Sequence, residues 1–218
     1  MKTLSLLILA LFVQISNVNS QSDEMPKYFE CGQVIDGKID CPYFKFIYEI
    51  PQNWVALSDE DMSKIVNRGV DPEGKEKDAM KPIKKKIKTK DLPSAFLLWT
   101  LKYEFGSSVL SNPNIIISID NLSFNKDIQD VAQFQSKIFE SGNEFNITME
   151  YVNEDFNTIE ISGVSFRAMD LKSVGDYEQY QTHLTTFKQG FALTITLAYT
   201  NQVEKEEMMK SVEGMKFY

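Results

Sequence analysis

The 218-residue chain contains one histidine, His183, two cysteines and two tryptophans, with only 10 glycines and 7 prolines. A single histidine excludes every metal site built on several imidazoles and leaves room for one Ser-His-acid arrangement at most. The glycines form neither a phosphate-cradling loop nor a dinucleotide fingerprint, so nucleotide chemistry is not expected. Basic residues are also in deficit, 23 against 31 acids, for a net charge of -8. That balance favours solubility and disfavours nucleic acid as a general partner. No long apolar run compensates: the stretch Leu4 to Val13 is far shorter than the roughly 20 residues a membrane-spanning helix needs.

What that short run does resemble is a leader. Met1-Lys2 precede it, and the more polar Gln14 to Asn19 follow, ending in the small Ser20 with Val18 two places before it. Residues 1–20 read as a secretory signal peptide cleaved between Ser20 and Gln21. The first cysteine, Cys31, follows Tyr28-Phe29-Glu30 rather than an apolar lipobox, so no lipid anchor and no stable membrane anchor are expected. Loss of Lys2 leaves 22 bases against 31 acids, a net charge of -9. In an exported chain Cys31 and Cys41 read as a disulfide across a hairpin, with free thiols the alternative. Their spacing is not that of a Cys-x-x-Cys redox pair. Reading Ile35-Asp36-Gly37 as a three-residue loop sets Val34 opposite Lys38 and Cys31 opposite Cys41.

The periodicity of the remainder alternates between two and about 3.6. Phe44, Phe46, Tyr48 and Ile50 share one side of a strand that stops at Pro51-Gln52-Asn53-Trp54. Ser58-Asp59-Glu60-Asp61 reads as a helix N-cap, and Met62, Ile65 and Val66 as the apolar side of a short helix closed by Gly69. Residues 95–103 and 115–119 read as buried strands, and Ile128, Val131, Ala132, Phe134, Ile138 and Phe139 as the stripe of a helix over 127–140. Asn146 to Val152 and Thr158 to Leu171 follow as strands, the second changing its apolar face at Gly163, where a bend or bulge is expected. Tyr177 to Thr200 forms the longest alternating stretch. With Gln189-Gly190 as a two-residue turn, Lys188 meets Phe191, Leu184 meets Ile195 and His183 meets Thr196, giving one apolar face and one Thr-rich face suited to thin cover or solvent. Asn201 caps a last helix with Met208, Met209 and Val212 on one side, before an extended Met215-Lys216-Phe217. Strands in direct succession with few helices predict an α+β domain, an antiparallel β-sheet flanked by helices.

Several of these marks resemble the PsbP-like family, which includes DcrB-type exported proteins: the strand into Ile50-Pro51-Gln52-Asn53-Trp54, Ile161-Ser162-Gly163 leading into a long strand, the Tyr177 to Thr200 hairpin, and the last helix running into Val212-Glu213-Gly214-Met215-Lys216-Phe217. Asn53 stands where the family's turn usually carries Gly, a replacement that Asn tolerates because it enters the left-handed region readily. The resemblance spans about residues 42–218, with 21–41 as an N-terminal segment carrying the cysteine hairpin. It implies an α/β/α sandwich and a non-enzymatic binding or assembly factor acting on a protein partner, with no cofactor. A carrier of a small apolar ligand between sheet and helices is the alternative.

Against that background the chemistry-bearing residues read as follows. His183 on a strand, with no nucleophile elbow nearby, is a sheet-face histidine without a catalytic role. Asp59-Glu60-Asp61 and Glu154-Asp155 lack the spacing of a calcium loop and read as a helix cap and a turn. Asn121-Leu122-Ser123 and Asn146-Ile147-Thr148 match the glycosylation sequon, which matters in a eukaryotic secretory route. Lys75, Lys77, Lys81, Lys84, Lys85, Lys86, Lys88 and Lys90 crowd one stretch of an otherwise acidic chain. That stretch reads either as a solvated loop or as the surface that meets an anionic partner.

Overall fold

The computed structural model describes residues 29, 31–58, 60–62, 88–107, 109, 111–144, 148–152, 156–174 and 178–218. Among these, strands β1 (Val34–Ile35), β2 (Lys38–Cys41), β3 (Phe46–Glu49), β4 (Val55–Ala56), β5 (Ser94–Leu101) and β6 (Asn114–Asn121) precede helix α1 (Val131–Glu144). Then come β7 (Thr148–Tyr151), β8 (Thr158–Ile161), β9 (Val164–Val174), β10 (Gln179–Lys188) and β11 (Phe191–Tyr199), helix α2 (Gln202–Glu213) and β12 (Lys216–Phe217). All pairings are antiparallel. The large sheet runs β4-β5-β6-β11-β10-β9-β7, with β8 also paired to β9, and a four-stranded sheet runs β1-β2-β3-β12. The sequence pattern suggests one sheet; the second exists because Lys216 and Phe217 return from α2 to pair with Ile47 and Phe46.

At the centre lies the β10–β11 hairpin, in the register the alternation predicts: Tyr180 faces Tyr199, His183 faces Thr196 and Lys188 faces Phe191. Tyr177, where the alternating run begins, lies outside the described residues. Gln189 (φ 53°) and Gly190 (φ 79°) both take positive φ, the geometry that matches a two-residue turn to the twist of its strands. Leu184, Leu193, Ile195 and Leu197 point to one face, and none is exposed. That core face packs against Phe44, Phe46 and Tyr48 of the β3 region and against Met208, Val212 and Met215 in and after α2. The opposite face carries His183, Thr185, Thr194 and Thr196, and it is not wet: α1 lies against β7, β9 and β10, leaving His183 only 7% exposed.

Two turns differ from the sequence reading. Thr158 to Leu171 is a hairpin rather than one bent strand: Ile161 pairs with Val164 around Ser162 (φ 47°) and Gly163 (φ 79°). The change of apolar face is therefore a reversal of direction, which places Ile161 and Phe166 in the same core. In the first hairpin the turn is Asp36-Gly37 (φ 50° and 71°), two residues rather than three, and Val34 faces Ile39. Asp-Gly is a strong signature of that turn, and it overrides the register chosen to align the cysteines. Cys31 and Cys41 still meet, Cα atoms 4.4 Å apart, through an irregular approach ahead of β1. There Gly32 N–H donates to Asp40 O at 2.8 Å, and a Cβ on Gly32 would fall 2.1 Å from that oxygen, so only glycine fits.

The helix ends follow their caps. Asn201 Oδ1 accepts Glu204 N–H at 3.0 Å, and Glu204 Oε2 reaches back to Thr200 N–H at 2.8 Å. Ser58 Oγ accepts Asp61 N–H at 3.1 Å, as the acidic cap predicts, while Asp59 and residues 63–69 lie outside the described residues. Helix α1 begins at Val131 rather than 127, since Asp130 Oδ1 takes Gln133 N–H and makes the cap. Asn53 sits at φ 68° in the turn closed by Trp54 N–H to Pro51 O, which its ease in the left-handed region allows. Helix α2 is held to the core face by Lys205 Nζ on Asp170 Oδ2 at 2.9 Å and by Ser211 Oγ against Tyr48 OH at 2.9 Å.

Asn121 closes the other end of the large sheet. It is fully buried; its Nδ2 donates to Thr89 O (3.3 Å) and Leu92 O (3.1 Å), and its Oδ1 accepts Ser123 N–H (3.0 Å). The amide of this sequon is thereby committed to folding and closed to a glycan. Asn121→Ala removes one donor from each of two buried carbonyls, of which Thr89 O keeps Leu92 N–H at 3.3 Å, so a loss of about 1–3 kcal/mol is expected in urea unfolding. Mass spectrometry of protein from a glycosylating host should find no glycan at Asn121.

Candidate functional site

The registers of β5, β6, β11, β10 and β9 lay the polar face out as rows. Asp120 of β6 stands between Ser94 and Ala192; the next row is Phe96, Ser118, Thr194, Thr185 and Arg167; the next is Trp99, Ile116, Thr196, His183 and Met169. Helix α1 covers the β9–β10 side of this floor. Its Phe134 meets Phe187 edge to face, with ring centroids 6.2 Å apart, and Gln135 beside it is fully buried.

Gln135 is the pin. Its Nε2 donates to Arg167 O at 2.9 Å and to His183 O at 3.3 Å, two main-chain carbonyls of neighbouring strands. Because both partners are acceptors, the amide has one possible orientation, and its Oε1 faces the Arg167 guanidinium, whose Nη1 donates to it. The guanidinium carbon also lies 3.7 Å from the centroid of the Phe156 ring. A buried glutamine inside an apolar stripe was the one signal for this arrangement, and the periodicity alone passes over it.

His183 is spent on structure. Its Nδ1 is 3.1 Å from Thr196 Oγ1 and its Nε2 is 3.0 Å from Gln181 Oε1. Burial lowers its pKa from 6.5 to about 4, with the Asp170 charge pulling the other way. It is therefore neutral at physiological pH, with both nitrogens engaged, an arrangement that holds a sheet face together and offers no free base. Asp120 is the opposite case. Among the described residues its side chain makes no hydrogen bond or ion pair, and burial raises its pKa from 3.8 to about 6. Trp99 Nε1, on the same face, is buried without a partner.

Of the lysine cluster, only Lys88 and Lys90 fall among the described residues; both are exposed, either side of Thr89 in a single 3-10 turn, Thr89–Asp91. Lys75, Lys77, Lys81, Lys84, Lys85 and Lys86 lie outside them, as do Glu154 and Asp155. Among the described residues no group of acidic, histidine or cysteine side chains is arranged to hold a metal, and no helix is long and apolar enough to cross a membrane.

No protein-family model and no curated protein matches the chain. Solved structures do. The cyanobacterial PsbP, CyanoP, of Synechocystis sp. PCC 6803 superposes with a TM-score of 0.51 at 11% identity, covering 87% of this chain and 98% of that one. PA94, a Pseudomonas aeruginosa protein of unknown function, reaches 0.42 at 11% identity over 59% of this chain and 87% of its own. LpqN, involved in cell envelope biogenesis of Mycobacterium tuberculosis, reaches 0.37 at 14% identity over 78% and 82%. The first likeness establishes the architecture: the fold is PsbP-like, mostly antiparallel sheet with few helices.

The two perturbed groups on this face respond to pH in opposite senses. The unfolded imidazole binds a proton below about pH 6.5 and the folded one only below about pH 4, so the stability from His183 is present above 6.5 and lost as pH falls toward 4. The folded Asp120 keeps its proton up to about pH 6 and the unfolded one releases it near 3.8, so its contribution is present at low pH and lost as pH rises through 6. Asp120→Asn is therefore expected to stabilise the protein at pH 7.5 more than at pH 4, by about 1–3 kcal/mol. Urea unfolding at the two pH values measures the difference; an equal effect at both would show that Asp120 is solvated.

Proposed function

We propose that the mature chain is an exported, non-enzymatic binding or assembly-factor module acting on a protein partner outside the cytoplasm. The observation that carries the non-enzymatic half is His183, the chain's one histidine, buried with both ring nitrogens bonded to neighbouring side chains. The PsbP-like architecture supports the accessory half, CyanoP being the solved structure that matches at a TM-score of 0.51. The Cys31–Cys41 pair at disulfide distance supports an oxidising compartment, as does the leader-like stretch over residues 1–20. In this reading α1 and α2 are the two outer layers of an α/β/α sandwich over residues 42–218, residues 21–41 brace it, and the nearest kin are DcrB-type exported proteins.

Partner contact is assigned to the Lys75 to Lys90 stretch, the strongest cationic run of an acidic chain. Reversing Lys84, Lys85, Lys86 and Lys88 to Glu is expected to cut capture of the partner from the native extracytoplasmic fraction, and wild-type capture should itself weaken as salt is raised from 50 to 300 mM, roughly where the screening length falls below 10 Å. Capture unchanged by both would remove this surface from consideration.

The alternative, a carrier for a small apolar ligand between sheet and helices, is supported by one feature: the partly exposed rings of Phe139, Tyr151 and Phe156 beside the apolar cluster under α1. Native mass spectrometry of protein from its own source separates the two readings, because a carrier retains a small mass and a protein-binding module does not.

A further inference from the structure

Arg167 is one of two arginines in the chain, the other being Arg68. A guanidinium offers five N–H donors in a flat fork, and here one of them, on Nη1, goes to Gln135 Oε1. No carboxylate lies within ion-pair distance of it among the described residues, where the ion pairs use lysines 38, 102, 172 and 205. Asp130 and the Tyr151 phenol act on it through space, but Asp130 Oδ1 is already taken by Gln133 N–H at the start of α1. The side chain is half-buried, and burial pushes its pKa below the ordinary arginine value, a cost that proteins normally offset with a paired anion.

Around this cation the side chains are flat and apolar. Phe156, 38% exposed, lies under the guanidinium carbon at 3.7 Å. Tyr151 meets Phe156 edge-on, centroids 5.7 Å apart, and stacks on Phe139 of α1 at 4.3 Å with 20° between planes. The cation cannot swing away, because Gln135 is itself anchored to two sheet carbonyls. A fork held rigid, with most of its donors unused among the described residues and an exposed aromatic wall beside it, is complementary to a planar oxyanion attached to a planar apolar group.

We propose that Arg167, backed by Gln135 and Phe156 and flanked by Tyr151, is a receptor for a carboxylate carried on a flat apolar body. The proposal rests on the binding-module reading and gives it a chemistry. The carboxylate has two possible sources, a free aromatic acid or the C-terminal aromatic residue of a partner polypeptide.

Titration of the full mature chain, followed by NMR of the Arg167 side-chain N–H and the Phe156 and Tyr151 rings, tests this with defined probes. Indole-3-acetate should shift all three sets of signals, its methyl ester should bind at least roughly tenfold more weakly, and Arg167→Gln should lose binding by a similar factor. Arg167→Lys, which keeps the charge without the fork, should fall between. Should Arg167→Gln fail to fold, Phe156→Leu at its exposed position is expected to weaken binding in the same direction. N-acetyl-Gly-Phe with a free C-terminus, compared with its amide, identifies the source: tighter binding than indole-3-acetate assigns a polypeptide, weaker binding a free acid. The proposal is overturned if the Arg167 signals do not move by about 10 mM probe, if Arg167→Gln binds as tightly as wild type, or if inorganic phosphate competes as well as the aromatic acids. Failed partner capture with a positive titration would dismiss the lysine surface and leave this site standing.

Discussion

The backbone ladder between β10 and β11 is the constraint on which the rest of the molecule depends. Each strand of that hairpin has a second neighbour, β9 on one side and β6 on the other, so one register propagates across the whole large sheet. Because side chains alternate, a slip of one residue would exchange Leu184, Ile195 and Leu197 for His183, Thr196 and Ala198 on the core face. The cost would be paid in buried polar groups, so the turn at Gln189-Gly190 determines which half of the protein is hydrocarbon and which is a hydrogen-bonded floor. Its glutamine adopts a left-handed backbone angle that few residues favour, and the nine facing pairs behind it hold it there.

That division explains how two dissimilar surfaces arise from one sheet. The core face meets large aromatic rings from β3 and the apolar side of α2, with its few polar contacts, Lys205 on Asp170 and Ser211 on Tyr48, tying α2 down. The other face carries threonines, one histidine and one arginine beside Met149, Met169 and Leu171, and helix α1 covers it with the Gln135 hydrogen bonds and with the apolar Ile138 and Phe139. Helix α1 is therefore positioned by an amide as much as by its apolar stripe. Where its cover ends, Asp120 over β6 and Arg167 over β9 have no ion-pair partner among the described residues.

Local patterns carried much of this to the reader of the chain, and long-range returns did not. The central register, the Asn201 and Ser58 caps and the left-handed Asn53 all rest on neighbours within a few residues, where alternation and capping chemistry act directly. The second sheet was hidden because its closing strand is two residues long and pairs across most of the chain, Phe217 with Phe46. Ser162-Gly163 passed for a bulge since Ser-Gly is a weaker turn signal than Asn-Gly, although a reversal of phase is what a tight hairpin also produces. Gln135 and Arg167 were passed over for a different reason: Gln135 stands within the apolar stripe of a helix and Arg167 on the side of its strand opposite Val164, Phe166 and Ala168, and only the fold reveals that they face one another. The thinly covered Thr-rich face follows from the same omission.

The small sheet sets an order of events. β2 and β3 lie early in the chain, yet the edge of β3 stays open until residues 216 and 217 arrive from the far side of α2. Met208, Val212 and Met215, which fill the core beneath it, come only slightly sooner. Phe44, Phe46 and Tyr48 thus lack their final neighbours until α2 and β12 are available to pack on them. The arrival of β12 is therefore what completes the small sheet, joining residues from opposite ends of the described chain.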